Sequence, residues 1–223
     1  MKSSLCILLC AVFLTAAGCA RLEGPEPVDL RAGAIRIRLD DIKTWKDFRD
    51  RNIVMQQFDY SCGAAAMATL MDYYFGDKVS EKDVLIDILK HINEADFKER
   101  KKEGLSLLDL KQFAERRGYQ AAGVKLQLSA LPQLKGPVLV YLERKDFKHF
   151  AIFRGVREDR VYLADPSRGN VRMPVDEFAK EWPGIALVLG KKGFGTPSEY
   201  PLAVDKESPF RPELRAARHS LYL

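Results

Sequence analysis

From Tyr60 to Tyr74 the chain carries Ala64, Ala65, Ala66, Met67, Ala68, Leu70 and Met71, with few charges among them. High helix propensity without a polar face predicts a helix that lies centrally, covered on its sides, and not along the surface. Ser61 stands where it can cap this helix, and Gly76 where it can stop it. A central helix obliges the rest of the chain to pack around it. Ser80 with Asp83, and Ser106 with Asp109, have capping-box spacing and open two further helices, the first with Val84, Leu85, Ile88 and Leu89, the second with Leu107, Leu108, Leu110 and Phe113. Gly118 is placed as a C-cap. The charged stretch from Glu94 to Gly104 between them is expected to be a solvated connection.

Beyond Gly118 the periodicity changes. Tyr119–Leu126, Pro137–Leu142, His149–Val156, Arg160–Ala164, Val171 with Met173, and Ile185–Leu189 suit strands, with short helical turns around Leu128–Leu134 and Val175–Trp182. Helices first and a mostly antiparallel sheet second give one α+β domain over residues 35–190, with the N-terminal helices packed on the sheet. Trp45 and Phe48 are spaced to anchor a helical turn against the core. The Pro- and Gly-containing residues 191–223 form a tail that either wraps the domain or lies loose.

The first residues address the compartment. Lys2 precedes a charge-free stretch from Leu5 to Gly18, the length of a signal-peptide core and short for a membrane span. Thr15-Ala16-Ala17-Gly18-Cys19 resembles the bacterial lipoprotein box. That resemblance implies a signal peptide over residues 1–18, lipidation of Cys19, and a tether over residues 19–34. Ala20 after the cysteine resembles an outer-membrane destination in a diderm bacterium, since the usual inner-membrane retention signal there is Asp. A net charge of +5, with acids interspersed among the bases, shows no dense basic stripe, so no nucleic-acid partner is expected.

Of four cysteines, Cys6 and Cys10 fall in the signal core and Cys19 in the lipidation motif, which leaves Cys62 as the thiol of the mature chain. It sits just inside the start of the Ala-rich helix, where first-turn N–H groups without partners and the helix dipole favour a thiolate. Gly63 beside it lets a substrate backbone approach. Three histidines are available as a base. His91 ends a charged helix, His219 lies in the tail near Arg215 and Arg218, and His149 opens the apolar strand Phe150-Ala151-Ile152-Phe153. His149 is therefore the expected base. Asp165, closing the next strand before Pro166, is placed to orient it. Gln56 or Gln57 can supply a side-chain N–H to an oxyanion. The histidines and the one mature cysteine make no structural-zinc set, and no nucleotide-binding glycine motif occurs.

Gln56-Gln57-Phe58-Asp59-Tyr60-Ser61-Cys62-Gly63-Ala64-Ala65-Ala66, His149-Phe150-Ala151-Ile152 and Val161-Tyr162-Leu163-Ala164-Asp165-Pro166 together resemble peptidase family C39, the double-glycine leader peptidases. The resemblance implies a papain-like fold, with Cys62 as nucleophile, His149 as its histidine, Asp165 as the orienting acid and Gln56 as the oxyanion-hole glutamine. It implies no metal or organic cofactor. With an export signal and no transporter segment, the chain resembles a stand-alone exported branch of the family. The expected activity is peptide-bond hydrolysis on a peptide or protein, such as a leader or a surface-protein partner. The expected place is the periplasm, on a membrane through the lipid, with room for an export-system partner. Two alternatives stand beside it: a non-catalytic peptide-binding or chaperone lipoprotein of an export assembly, and acyl transfer to an amine.

Overall fold

A computed structural model of the protein describes residues 28–32, 35–39, 44–144 and 147–204. The signal stretch, Cys19, most of the tether and the tail from residue 205, with His219, lie outside them. Strands β1 (Val28–Ala32) and β2 (Ile35–Leu39) form an antiparallel hairpin, pairing Val28 with Leu39 and Ala32 with Ile35. The hairpin belongs to a unit ending at Lys43; a second unit begins at Thr44. Ile35, where the domain was expected to begin, thus opens a strand whose partner comes from the segment read as tether.

The second unit opens on a short helix, α1 (Trp45–Arg49), closed by a Thr44–Asp47 capping box. Helix α2 (Cys62–Tyr73) follows, with every residue from Cys62 to Met71 buried. Its one buried hydroxyl is satisfied twice: Thr69 Oγ1 donates to the Ala65 carbonyl at 2.8 Å and accepts from the Val54 N–H at 2.9 Å. Helices α3 (Glu81–Lys90) and α5 (Leu107–Arg116) begin on the two capping boxes read from the sequence. Gly118 follows α5 at φ +84°.

Three local expectations are corrected. Trp45 and Phe48 lie on a helical turn, but both are exposed, so neither is buried as an anchor in the core. Ser61 occupies the N-cap of α2 without capping it. Its hydroxyl instead donates to the Phe58 carbonyl at 2.7 Å and accepts from the Phe58 N–H at 3.2 Å, closing the turn ahead of the helix. The charged stretch is a helix, α4 (Glu94–Glu103), although none of its residues is buried. Asn93 caps it, acids fill its first turn and bases its last, and Lys98 pairs with Glu94 at 3.2 Å. Those local terms favour a helix without any apolar face. Arg100 then fastens it to Asp109 of α5 at 2.5 Å.

The sheet comprises β3 (Gln120–Lys125), β4 (Val138–Arg144), β5 (Phe147–Arg157), β6 (Arg160–Asp165), β7 (Gly169–Pro174) and β8 (Ile185–Gly190), in the order β3-β8-β4-β5-β6-β7 and antiparallel throughout. Alternation divides its side chains between two cores. Leu139, Phe150, Ile152, Ala164 and Leu187 join the core of α2, α3 and α5. Val138, Val140, Leu142, Ala151, Phe153, Val161 and Leu163 join another that includes Phe178 and Trp182, around α6 (Val175–Glu181). After β8 the chain to residue 204 wraps the domain. Lys191 pairs with Asp77 at 2.6 Å, Leu202 is buried, and the Arg154 Nε donates to the Leu202 carbonyl at 2.8 Å.

Gly169 turns the chain from β6 into β7 at φ +83°, and a Cβ there would lie 2.5 Å from the Arg49 carbonyl oxygen and 3.0 Å from its carbon. Both obstacles are backbone, so neither yields cheaply. Gly169→Ala should cost roughly 2–4 kcal/mol of stability, read as a fall in the urea midpoint with unchanged m-value.

Candidate active site

Cys62 is the first residue of α2 and the free cysteine among the described residues. It is 5% exposed, at the floor of a cleft of about 870 Å³ that Gln56, Tyr60 and His149 also line. Cys62 therefore stands in the first turn of α2, whose N–H groups have no intrahelical partners.

His149 lies in β5 and is 3% exposed. The sequence placed it at the strand's opening; two residues of strand precede it, so its backbone is held by pairing with β4 opposite Leu142. Its Nε2 stands 2.9 Å from Asp165 Oδ1, and Cys62 lines the same cleft, near enough for its side chain to act on the charge of the ring. Asp165 ends β6 and is fully buried. Beyond His149, its carboxylate accepts from the Ser167 N–H at 2.9 Å, the Ser167 hydroxyl at 2.7 Å, the Arg168 N–H at 3.1 Å and the Arg168 Nε at 2.8 Å. The Asp-Pro-Ser-Arg turn thus folds around the acid's own side chain. The turn signal was visible in the sequence; that Ser167 and Arg168 would support the acid was not drawn from it.

Burial works against charge on both partners, and the pairing overcomes it. For His149 the Asp165 carboxylate and the Cys62 side chain prevail, and its pKa stands above the ordinary 6.5. For Asp165 the His149, Ser167 and Arg168 contacts prevail, holding the carboxyl well below the usual carboxylate range. An ionised carboxylate only accepts, so His149 Nε2 is the N–H donor and Nδ1 is left as the nitrogen that can take up or release a proton.

The two glutamines separate. Gln56 lines the cleft, and its N–H donates to the Pro166 carbonyl at 2.9 Å, joining the loop before α2 to the Asp165 turn. Its Nε2 donates to the Phe58 carbonyl at 3.0 Å, using one of two amide hydrogens. The side chain of Gln57 is exposed. His91, at the C-cap of α3, is exposed and bonds through Nδ1 to the Asp87 carbonyl at 2.7 Å, away from the cleft residues. Among the described residues, no group of three or more His, Cys, Asp or Glu side chains is arranged to hold a metal ion.

Known proteins resemble the chain in sequence and fold. The profile of the peptidase C39 family matches residues 50–193, more than half of the chain. The probable functional amyloid protease FapD of Pseudomonas aeruginosa is 33% identical over 177 residues, 77% of each chain. FapD of Pseudomonas fluorescens is 31% identical over 193 residues, 86% of this chain and 81% of its own. Among solved structures, a double glycine motif protease from an AMS/PCAT transporter, in complex with the leader peptide, superposes with a TM-score of 0.52 at 25% identity, covering 63% of this chain and 94% of that one.

Proposed function

The chain belongs to the peptidase C39 family and is a cysteine peptidase, and from that premise we propose that it is an exported, lipid-anchored endopeptidase working through Cys62, His149, Asp165 and Gln56. One observation carries the reading: a cysteine at the first turn of a buried helix shares one cleft with a histidine whose Nε2 is 2.9 Å from a buried carboxylate.

In the reaction, Cys62 gives its proton to His149 Nδ1, and the thiolate attacks the scissile carbonyl carbon. The oxyanion is met by the Cys62 N–H, in the first turn of α2, and by the second N–H of the Gln56 amide. His149 delivers the proton to the amide nitrogen as the C–N bond breaks, and the amine leaves. A water then loses a proton to His149 and attacks the thioester, releasing the acid and restoring the thiol. Asp165 keeps the imidazole in the required tautomer and supports its cationic form.

The substrate in this reading is a protein component of a functional amyloid system. The description of both Pseudomonas relatives as functional amyloid proteases supports it. Purified mature protein should release a discrete product from such a component, detected by mass spectrometry; an uncleaved partner under conditions where the fold is intact would overturn the assignment.

The location rests on the first residues: the apolar stretch, the Ala16-Ala17-Gly18-Cys19 motif and Ala20 support export, a lipid on Cys19 and the periplasmic side of an outer membrane. Cys19→Ser should abolish incorporation of labelled lipid and leave the protein unprocessed or free of the membrane. Unchanged lipid labelling in that variant would defeat the anchor.

A further inference from the structure

Gln56 does not rest where its own side chain is best satisfied. Its Oε1 is buried and has no hydrogen-bond partner among the described residues. An acceptor left in that state is destabilising, so the surrounding loop must impose the position. The loop is held at three points. The Gln56 N–H is bonded to Pro166, Ser61 closes the turn at Phe58, and the N–H of Gln57 points to the carboxylate of Glu81, at 3.0 Å from Oε1 and 3.3 Å from Oε2.

The third point is unusual in its donor set. Glu81 opens α3 and is only 3% exposed. A carboxylate removed from water ordinarily has a cationic partner or several donors. Here the Gln57 N–H is its hydrogen-bond partner among the described residues, with the N-terminal dipole of α3 behind it. An acid serving α3 alone gains the same dipole interaction at the surface, as Asp83 does. Burial against the residue next to Gln56 serves the loop instead.

We propose that Glu81 is a positioning residue of the peptidase site: its buried carboxylate fixes the Gln57 N–H and thereby holds Gln56 in place beside Cys62. The inference rests on the reading of Gln56 as an oxyanion donor. Glu81 touches no reacting atom, and its effect passes wholly through that donor, so it alters the transition state more than substrate binding.

The test is a double-mutant cycle on the full mature chain, reading kcat and KM separately. Gln56→Ala should lower kcat by about 10²-fold. Glu81→Ala should lower it by roughly 10- to 100-fold with KM within about twofold, as expected of a displaced donor. Glu81→Gln, which keeps an acceptor oxygen, should recover kcat to within about fivefold of wild type. In Gln56→Ala protein, Glu81→Ala should add almost nothing further. If Glu81→Ala does not fold, Glu81→Asp, whose carboxylate is drawn back by one methylene, takes its place in the cycle. Multiplicative losses in the double variant, or a loss confined to KM, would overturn the role of Glu81 and leave Gln56 untouched. An unchanged kcat in Gln56→Ala would overturn the oxyanion reading and this inference with it.

Discussion

Cys62→Ala should leave a folded protein whose kcat is lower by about 10⁴-fold or more. The fold is expected to survive because the position tolerates alanine: it adjoins Gly63 and three alanines in a helix whose first ten residues are all buried. The loss removes one sulfur from a 5%-exposed site at the cleft floor, a small cavity beside open space. Catalysis fares differently, because the covalent thioester route vanishes and no neighbouring group replaces it. Among the other cleft-lining side chains, Ser167 is a hydroxyl nucleophile by type, but it already donates to Asp165 at 2.7 Å. Substrate affinity should stay near wild type, which separates the peptidase from a binding module sharing its fold. The two readings part in one assay pair. Cleavage of the natural partner by purified protein is measured beside complementation in cells. Full complementation by Cys62→Ala, with no cleaved product from wild type, would replace the peptidase with the module.

The sequence spoke most clearly where a single local rule decided the structure. Capping boxes at Ser80 and Ser106 opened helices as expected because the reciprocal side-chain bonds need only three residues of context. The strands carrying His149 and Asp165 were legible from alternation, and the turn after Asp165 from its Asp-Pro-Ser-Arg-Gly composition. Where two local rules competed, the reading erred. Ser61 has a capping residue's identity and position, yet the turn at Phe58 takes both functions of its hydroxyl. Glu94 to Glu103 lacks the apolar stripe by which a helix is recognised, and only its charge pairs and dipole complementarity favour one.

The candidate site was legible as residue types and in part as partners. A sequence can propose that Cys62, His149 and Asp165 meet, because Cys62 and Asp165 sit at the ends of their elements, His149 lies near the start of its own, and the chemistry requires three such groups. It cannot say that Glu81 reaches the residue after Gln56. That contact joins the start of α3 to a loop 24 residues earlier, through a backbone N–H that carries no sequence signature. The choice between Gln56 and Gln57 has the same character. Adjacent glutamines are equivalent in composition, and only the path of the loop puts one in the cleft and leaves the other exposed.

Asp165 is expected to matter for stability as much as for chemistry, which makes its substitutions the sharpest probe of the pair. At 0% exposure its carboxylate gathers His149, both donors of Ser167, and the N–H and Nε of Arg168. Asp165→Ala strands those donors and should cost roughly 3–5 kcal/mol, as breaking a buried charged pair does. Asp165→Asn retains one acceptor oxygen but turns an NH₂ toward either Arg168 or His149, where a donor already points, so it should lose less, about 1–3 kcal/mol. The pH dependence fixes the sign. Asp165 has a folded pKa below its unfolded value near 3.9, so its contribution is complete above that value and is lost as pH falls. His149 has a folded pKa raised above 6.5, so its contribution is complete below 6.5 and is lost as pH rises through the folded value. The stability gap between wild type and Asp165→Asn should therefore be widest between about pH 4 and 6.5, and narrow on both sides. Denaturant midpoints at pH 3, 5.5 and 9 measure it, and a gap independent of pH would show that the two groups are not an ion pair. Activity supplies the second reading. Without the carboxylate that supports its charge, His149 should lose its proton at lower pH. Because attack needs His149 free to take the Cys62 proton, the acid limb of kcat/KM in Asp165→Asn should then move down the pH scale, on top of a loss in kcat smaller than that of Cys62→Ala.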